Sequence, residues 1–256
     1  MALTATANEE TRCNVVRALG LWAGHLDVTG TFDRANFRYA VRRKPPGRSG
    51  HEVLSVELQA SAAAAEVAAP TGRAPCVLVY MPTTKEVDEL VAELQDEGAA
   101  GAGYHAKLTP EARAAAQAAF MQGDCTVLVA TVEFGMGIDK PDVRAVFNWG
   151  APTSLEAYYQ QSGRAGRDGD TAECVLWVRA ANWSRATYFT LTGATHPERA
   201  RRTLQALRDY VDSPRCRRVC LAAYFDEVVP ACGVCDTCAT AAASPWPRHD
   251  ATALCS

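Results

Sequence analysis

Lysine is scarce in this chain. Only Lys44, Lys85, Lys107 and Lys140 stand among 26 basic residues, and none belongs to a GxxxxGK[ST] run. No DExH box occurs either. The phosphate-cradling loop and the magnesium-holding acids of a P-loop enzyme are missing, so this chain alone is not expected to hydrolyse a nucleoside triphosphate by that route. No run of about 18 apolar residues exists, which argues against a transmembrane helix. The opening MALTATANEE has no basic region ahead of an apolar block, so no secretory signal is expected. A basic excess is lacking too: the net charge is -3 and the pI about 6.0, so any nucleic-acid surface must be a local patch.

What is present suits a globular protein of one to two domains, with 256 residues, 48% of them hydrophobic and 21% charged. Ten cysteines are many. Cys232, Cys235 and Cys238 stand in CGVCDTC, and Cys216 precedes them in CRRVCLAAYF. Two-residue gaps let successive thiolates converge on one ion, and a fourth thiolate closes a tetrahedron. With no secretory signal, a structural zinc site in a reducing compartment is the favoured reading over disulfides. The competitors are redox-active or free thiols and an iron–sulfur cluster, though no cysteine lies three residues beyond Cys238. Cys220 reads as a buried helix residue. Arg215, Arg217 and Arg218 read as a basic face or as a solvated helix surface.

Along the chain, Asn8 caps a helix that starts at Glu9 and stops near Gly20. Pro45 to Gly50 and Pro70 to Pro75 are loops, flanking an alanine-rich stretch, 51–69, that reads as a helix. From Cys76 short apolar runs alternate with helical periodicity. Strands are expected at 76–81, 126–130, 143–149 and 174–178, the last closing the sheet, with a turn and a short strand within 98–105. Helices are expected at 83–95, 109–121 and 154–161. Residues 183–225 read as helical. Such alternation implies a parallel α/β sheet with helices on both faces, whose ligands gather at the carboxyl ends of the strands. The Thr131–Lys140 loop and the turn after residue 161 are both expected on that edge.

That turn belongs to Tyr158–Gly169, YYQQSGRAGRDG. Arg164 and Arg167 lie three residues apart among three glycines, with Gln160 one helical turn before Arg164. Glycines permit close backbone approach, and guanidiniums match phosphate oxygens. The string resembles the sixth motif of superfamily 2 helicases, and in its full length the RecQ family of DNA helicases. ATVEFGMGIDKP at 130–141 resembles the fifth motif, with Glu133 where a small residue is usual. YHAKL at 104–108 is similar to the family's YHAGL, with Lys107 in place of glycine. TFDRANFRY at 31–39 is similar to its FDRPN segment, with Ala35 in place of proline, which leaves that turn less rigid. MALTATA at 1–7 is similar to the third motif.

The resemblance implies roles. Arg167 would be the arginine finger on the ATP γ-phosphate. Arg164 would contact phosphate or couple nucleotide to DNA, and Gln160 would position nucleotide or water. Asp139, Gly135 and Gly137 would belong to the nucleotide site, Asp139 through ribose or the arginines. Thr83, His105 and Thr131 would touch the DNA backbone. The four cysteines would hold structural zinc, while ATP and Mg2+ would need a first lobe that this chain lacks. The implied layout is a first-lobe remnant at 1–33, a second RecA-like lobe at 34–182, a helical zinc-binding subdomain at 183–240 and a disordered tail at 241–256. The function implied is part of an ATP-dependent 3′-to-5′ DNA helicase, inactive alone, with single-stranded and duplex DNA and the first lobe as partners and no membrane. A standalone non-catalytic DNA-binding or regulatory module is the alternative, and an RNA helicase a weaker one. The family's work on DNA implies the nucleus, or the cytoplasm and nucleoid of a prokaryote.

Overall fold

The structure is a computed structural model and describes residues 8–22, 24–43, 53–55, 58, 75–132, 139–192 and 195–242. Strands β1 (Phe37–Arg43), β2 (Cys76–Tyr80), β3 (Gly101–Tyr104), β4 (Val127–Ala130), β5 (Val143–Trp149) and β6 (Ala172–Val178) make one sheet in the order β1-β6-β5-β2-β4-β3. Every neighbouring pair is parallel. The helices with described bounds are α1 (Glu9–Ala18), α2 (Thr84–Asp96), α3 (Pro110–Gln122), α4 (Leu155–Ser162), α5 (Ala180–Leu191), α6 (Pro197–Asp212), α7 (Arg217–Tyr224) and α8 (Asp236–Ala242).

The apolar runs form strands because both sheet faces are covered. Cys76, Leu78, Tyr80, Leu128, Val146, Cys174 and Leu176 point into one core, filled from outside by α3, α4, α6 and α7. Val77, Val79, Val129, Phe147, Val175 and Trp177 point the other way, against α2 and the helical residues Val53 and Leu54. The first core continues past residue 182: Leu207, Tyr210 and Leu221 of α6 and α7 share it with Tyr158.

Local signals set the helix ends. Asn8 accepts the Thr11 N–H at 3.0 Å, Ser154 the Ala157 N–H at 2.9 Å, and Thr109 the Ala112 N–H at 3.2 Å with Pro110 in the first turn. Gly123 ends α3 at φ 88°, where only glycine is unstrained. No helix among the described residues is long and apolar enough to cross a membrane.

One expectation changes, and two details are added. β6 does not close the sheet, because β1 pairs beyond it. β1 carries three arginines in FRYAVRR, as an edge strand can, and so lacks an apolar signature. The 183–225 stretch is three helices, since Ser213 is extended and Pro214 cannot continue α6. The expected third motif at 1–7, most of the 51–69 helix and the tail beyond Ala242 lie outside the described residues.

One buried ion pair joins the C-terminal helices to the sheet. Arg217 pairs with Asp236 at 2.9 Å, its side chain only 7% exposed. Its Nη1 also donates to the carbonyls of Val211 and Ser213, each at 3.2 Å, satisfying the open end of α6. Asp236 meanwhile accepts the Val41 N–H of edge strand β1 at 3.0 Å. Arg217 is therefore no part of a basic face, and Arg218 is ion-paired with Asp33; of the three arginines only Arg215 is exposed. Asp236→Ala strands a buried guanidinium and should lower stability by about 3–5 kcal/mol, read by urea denaturation of the zinc-loaded chain. A loss within about 0.5 kcal/mol, as for an ordinary surface change, would contradict this role.

Candidate functional site

The arginine turn begins where α4 ends. Ser162 is fully buried and Gln161 nearly so, its amide meeting Asn148 of β5, while Gln160 faces solvent. The chain then crosses to the start of β5: the Gly166 N–H donates to the Val143 carbonyl at 2.9 Å and the Arg167 N–H to Pro141 at 3.1 Å. The turn thus lies at the amino ends of β5 and β6, not at the carboxyl edge expected for it. The reason is topological: a crossover helix carries the chain back from the carboxyl edge before the next parallel strand can begin.

Three anchors hold this turn. Asn36 donates its Nδ2 to the Gly166 carbonyl at 2.8 Å and to the Asp170 carbonyl at 2.9 Å. Arg144, 11% exposed beneath the turn, pairs with Asp168 and donates to the Pro141 carbonyl at 3.2 Å. Partial burial works against the Asp168 carboxylate, but the Arg144 hydrogen bond, the Asp170 N–H and the Arg144 charge together outweigh it and hold the carboxyl below its usual range. Gly166 supplies the third. Its φ is 45°, and an added Cβ would sit 2.6 Å from Asn36 Nδ2 and 2.7 Å from the Asp170 carbonyl. Sequence reasoning gave no role to Asn36, although it lies in the quoted TFDRANFRY stretch, or to Arg144, because their partners on the turn are more than 20 residues away.

On this base Arg167 projects a guanidinium that is 32% exposed. Its Nη1 meets Asp139 at 2.6 Å, and Asp139 is itself 78% exposed. The two residues expected to act together do meet. An exposed pair of this kind is worth about 0–1 kcal/mol, so a phosphate could displace the carboxylate. Arg164 is half-buried and hydrogen-bonds the Tyr80 phenol, whose pKa burial raises to about 12 against the arginine's opposing charge. Gly135 and Gly137 lie outside the described residues.

The remaining candidates lie at the carboxyl ends of their strands. Thr83 follows β2 and caps α2, accepting the Glu86 N–H at 3.2 Å and donating to the Glu86 carboxylate at 2.8 Å. Glu86 is held by Arg185 at 3.1 Å. Thr131 follows β4, 8% exposed, its N–H on the Tyr104 carbonyl at 3.1 Å. His105 follows β3 but is buried at 3%, with Nε2 2.9 Å from Asp88; its Nδ1 has no hydrogen-bond partner among the described residues. Buried, the His105 ring does not offer itself to a DNA backbone. The predicted site therefore divides into Arg167 with Asp139 at the amino edge and a threonine group at the carboxyl edge, with Arg164 reaching toward Tyr80 at the end of β2.

The cysteine cluster is a third centre. The sulfurs of Cys216, Cys232, Cys235 and Cys238 all lie within 4.8 Å of one another, with Cys216 3.5 Å from Cys232 and 3.9 Å from Cys235. A zinc–sulfur bond of about 2.3 Å gives a tetrahedral edge of about 3.8 Å, so the set fits zinc. Cys232 and Cys235 N–H groups each donate to a cluster sulfur at 3.3 Å. Burial pushes the Cys235 thiol up, but hydrogen bonding from Thr237 and nearby backbone amides outweighs it and brings it to about 6. Burial, and then the hydrogen bond with the Cys235 sulfur, push Cys238 up to about 12.

Residues 62–169 match the helicase conserved C-terminal domain, and residues 182–239 match the RecQ zinc-binding domain, which holds all four cysteines. The chain belongs to the RecQ helicase family. The ATP-dependent DNA helicase RecQ of Pasteurella multocida is 35% identical over 93% of this chain, and the RecQ-like DNA helicase BLM of Xenopus laevis is 34% identical over 89%. The chain spans 36% of the first and 16% of the second. The structure of yeast Dbp5 bound to RNA and ADP BeF3 superposes on 82% of this chain and 48% of that one, with a TM-score of 0.58 at 20% identity. That likeness shows a shared helicase-type fold.

Two outcomes follow from this RecQ chain. Purified protein should carry about one zinc, with affinity falling as pH falls because protons compete for the thiolates; less than about half an equivalent after careful preparation would count against the site. Gly166→Ala should lower stability by about 1–3 kcal/mol in thermal melts, since the left-handed backbone and the close oxygen both oppose a Cβ. An unchanged Tm would show the turn to be looser than described.

Proposed function

We propose that this chain is the second motor lobe and zinc module of an ATP-dependent 3′-to-5′ DNA helicase, working with a separate P-loop-bearing lobe. The observation that carries this reading is Arg167: a partly exposed guanidinium on a turn fixed at Asn36, Arg144 and Gly166, restrained by a weak surface pair with Asp139 and a long 3.4 Å hydrogen bond from its Nε to the Gly163 carbonyl. Such a group is pre-positioned for charge that a partner surface brings to it. In this reading the other lobe holds ATP and Mg2+, and Arg167 leaves Asp139 for the γ-phosphate. Gln160, exposed at the end of α4, orients the nucleotide or its attacking water, and Arg164 links that event to the sheet through Tyr80. The carboxyl edge, with Thr131 and the N-terminus of α2 behind Thr83, receives the phosphates of a single strand. His105 contributes from within, by holding Asp88.

Zinc is structural here. It supplies the cross-link that a segment with little core of its own cannot.

The test joins this chain to a RecQ P-loop lobe in one polypeptide. The chain alone should show no ATP hydrolysis, and the joined protein should show DNA-stimulated hydrolysis. Arg167→Ala should lower that rate by about 10³–10⁵-fold while single-strand affinity stays within about twofold, since phosphate contacts elsewhere carry it. Hydrolysis by the chain alone, or wild-type turnover in the variant, would contradict the proposal.

A further inference from the structure

Residues 31–36 touch the cysteine module with one end and the arginine turn with the other. At the first end, Glu227, just beyond α7, accepts from the Thr31 hydroxyl and from the Phe32 N–H at 2.8 Å. The Phe32 ring stacks on Phe225, centroids 4.4 Å apart and planes within 10°. Asp33 forms a two-pronged pair with Arg218, both side chains under 20% exposed. Arg218 is two residues from the ligand Cys216 and shares its helix N-terminus, so the cluster and this grip move as one unit.

At the second end, Asn36 holds the Gly166 and Asp170 carbonyls and accepts the Ala172 N–H at 3.0 Å. The two ends are rigidly related. The Phe37 N–H closes a turn onto the Arg34 carbonyl at 3.0 Å, and Arg34 lies over the Phe37 ring at 4.6 Å. Alanine at position 35 thus leaves a closed turn, although it lacks the stiffness of proline. A second route runs beside this one: Tyr159 of α4 donates its hydroxyl to the Phe32 carbonyl at 2.9 Å and packs on Phe225 at 4.9 Å.

We propose that residues 31–36 form a strap through which the cysteine module sets the position of the arginine turn, with Asp33 and Asn36 as positioning residues. The strap explains why a charged pair and an aromatic stack meet Thr31–Asp33, and why a side chain that holds both Gly166 and Asp170 comes from this segment. Its consequence for ATP turnover rests on the helicase reading; the coupling itself does not.

Hydrogen exchange followed by mass spectrometry on the zinc-loaded chain tests it without nucleotide. Arg218→Glu should speed exchange about tenfold in peptides covering 163–172, a local opening, while 76–80 and 127–130 stay protected and zinc stays bound. The charge-swapped Arg218→Glu/Asp33→Arg protein should restore 163–172 to the wild-type rate, which a merely destabilising change would not allow. Asp33→Asn is the milder variant should Arg218→Glu fail to fold, with the same local signature. Wild-type exchange at 163–172 in a variant whose residues 31–36 have lost protection would overturn the strap, as would failure of the swap to restore it. Neither result would bear on whether Arg167 meets a phosphate.

Discussion

Everything in this molecule that points toward chemistry depends on how firmly one short turn is held. A guanidinium that acts on a partner's ligand must be in place before the ligand arrives, because ordering it during the reaction would cost side-chain entropy at the moment it is needed. Here the placement is made by backbone hydrogen bonds from Gly166 and Arg167 to the entrance of β5, by the Arg144–Asp168 pair and by Asn36 just before β1. The charge that is left over, on Arg167, is held by an exposed carboxylate and one long bond to the Gly163 carbonyl.

The cysteine module extends the same logic. A cluster of four thiols has little apolar area of its own, yet the helices on either side of it are bound into the main body. Arg217 and Asp236 fasten the end of α6, the base of α7 and the edge of β1 to one another. Removing either partner leaves the other charged in a dry place, so the pair acts as a lock more than as a source of net stability. RecQ membership explains the presence of the module; the ion pair explains how it is held against the sheet.

Much of this was legible from local pattern. Asn8, Thr109-Pro110 and Ser154 announce helix starts because capping chemistry lies within three residues. The CGVCDTC spacing foretold a convergent cluster because metal geometry is also short-range. What stayed hidden is long-range. β1 reads FRYAVRR, whose arginines mask the strand until β6 is seen beside it. Arg217 looked like a surface residue beside two others, since its partner is 19 positions away. The arginine turn was assigned to the wrong edge because glycine and arginine content says what a turn can bind, whereas strand direction decides where it lies. His105 shows the limit of motif reading: the residue is where the pattern expects it, but the ring is buried against Asp88.

The most direct measurement is a crystal structure of this chain joined to a P-loop lobe and loaded with a γ-phosphate mimic. The account predicts the Arg167 guanidinium within about 3 Å of the mimic's oxygens, released from Asp139, with the Gly166–Val143 and Asn36–Gly166 hydrogen bonds unchanged. Arg167 still paired with Asp139 in the closed, nucleotide-bound state, with another side chain on the phosphate, would contradict it.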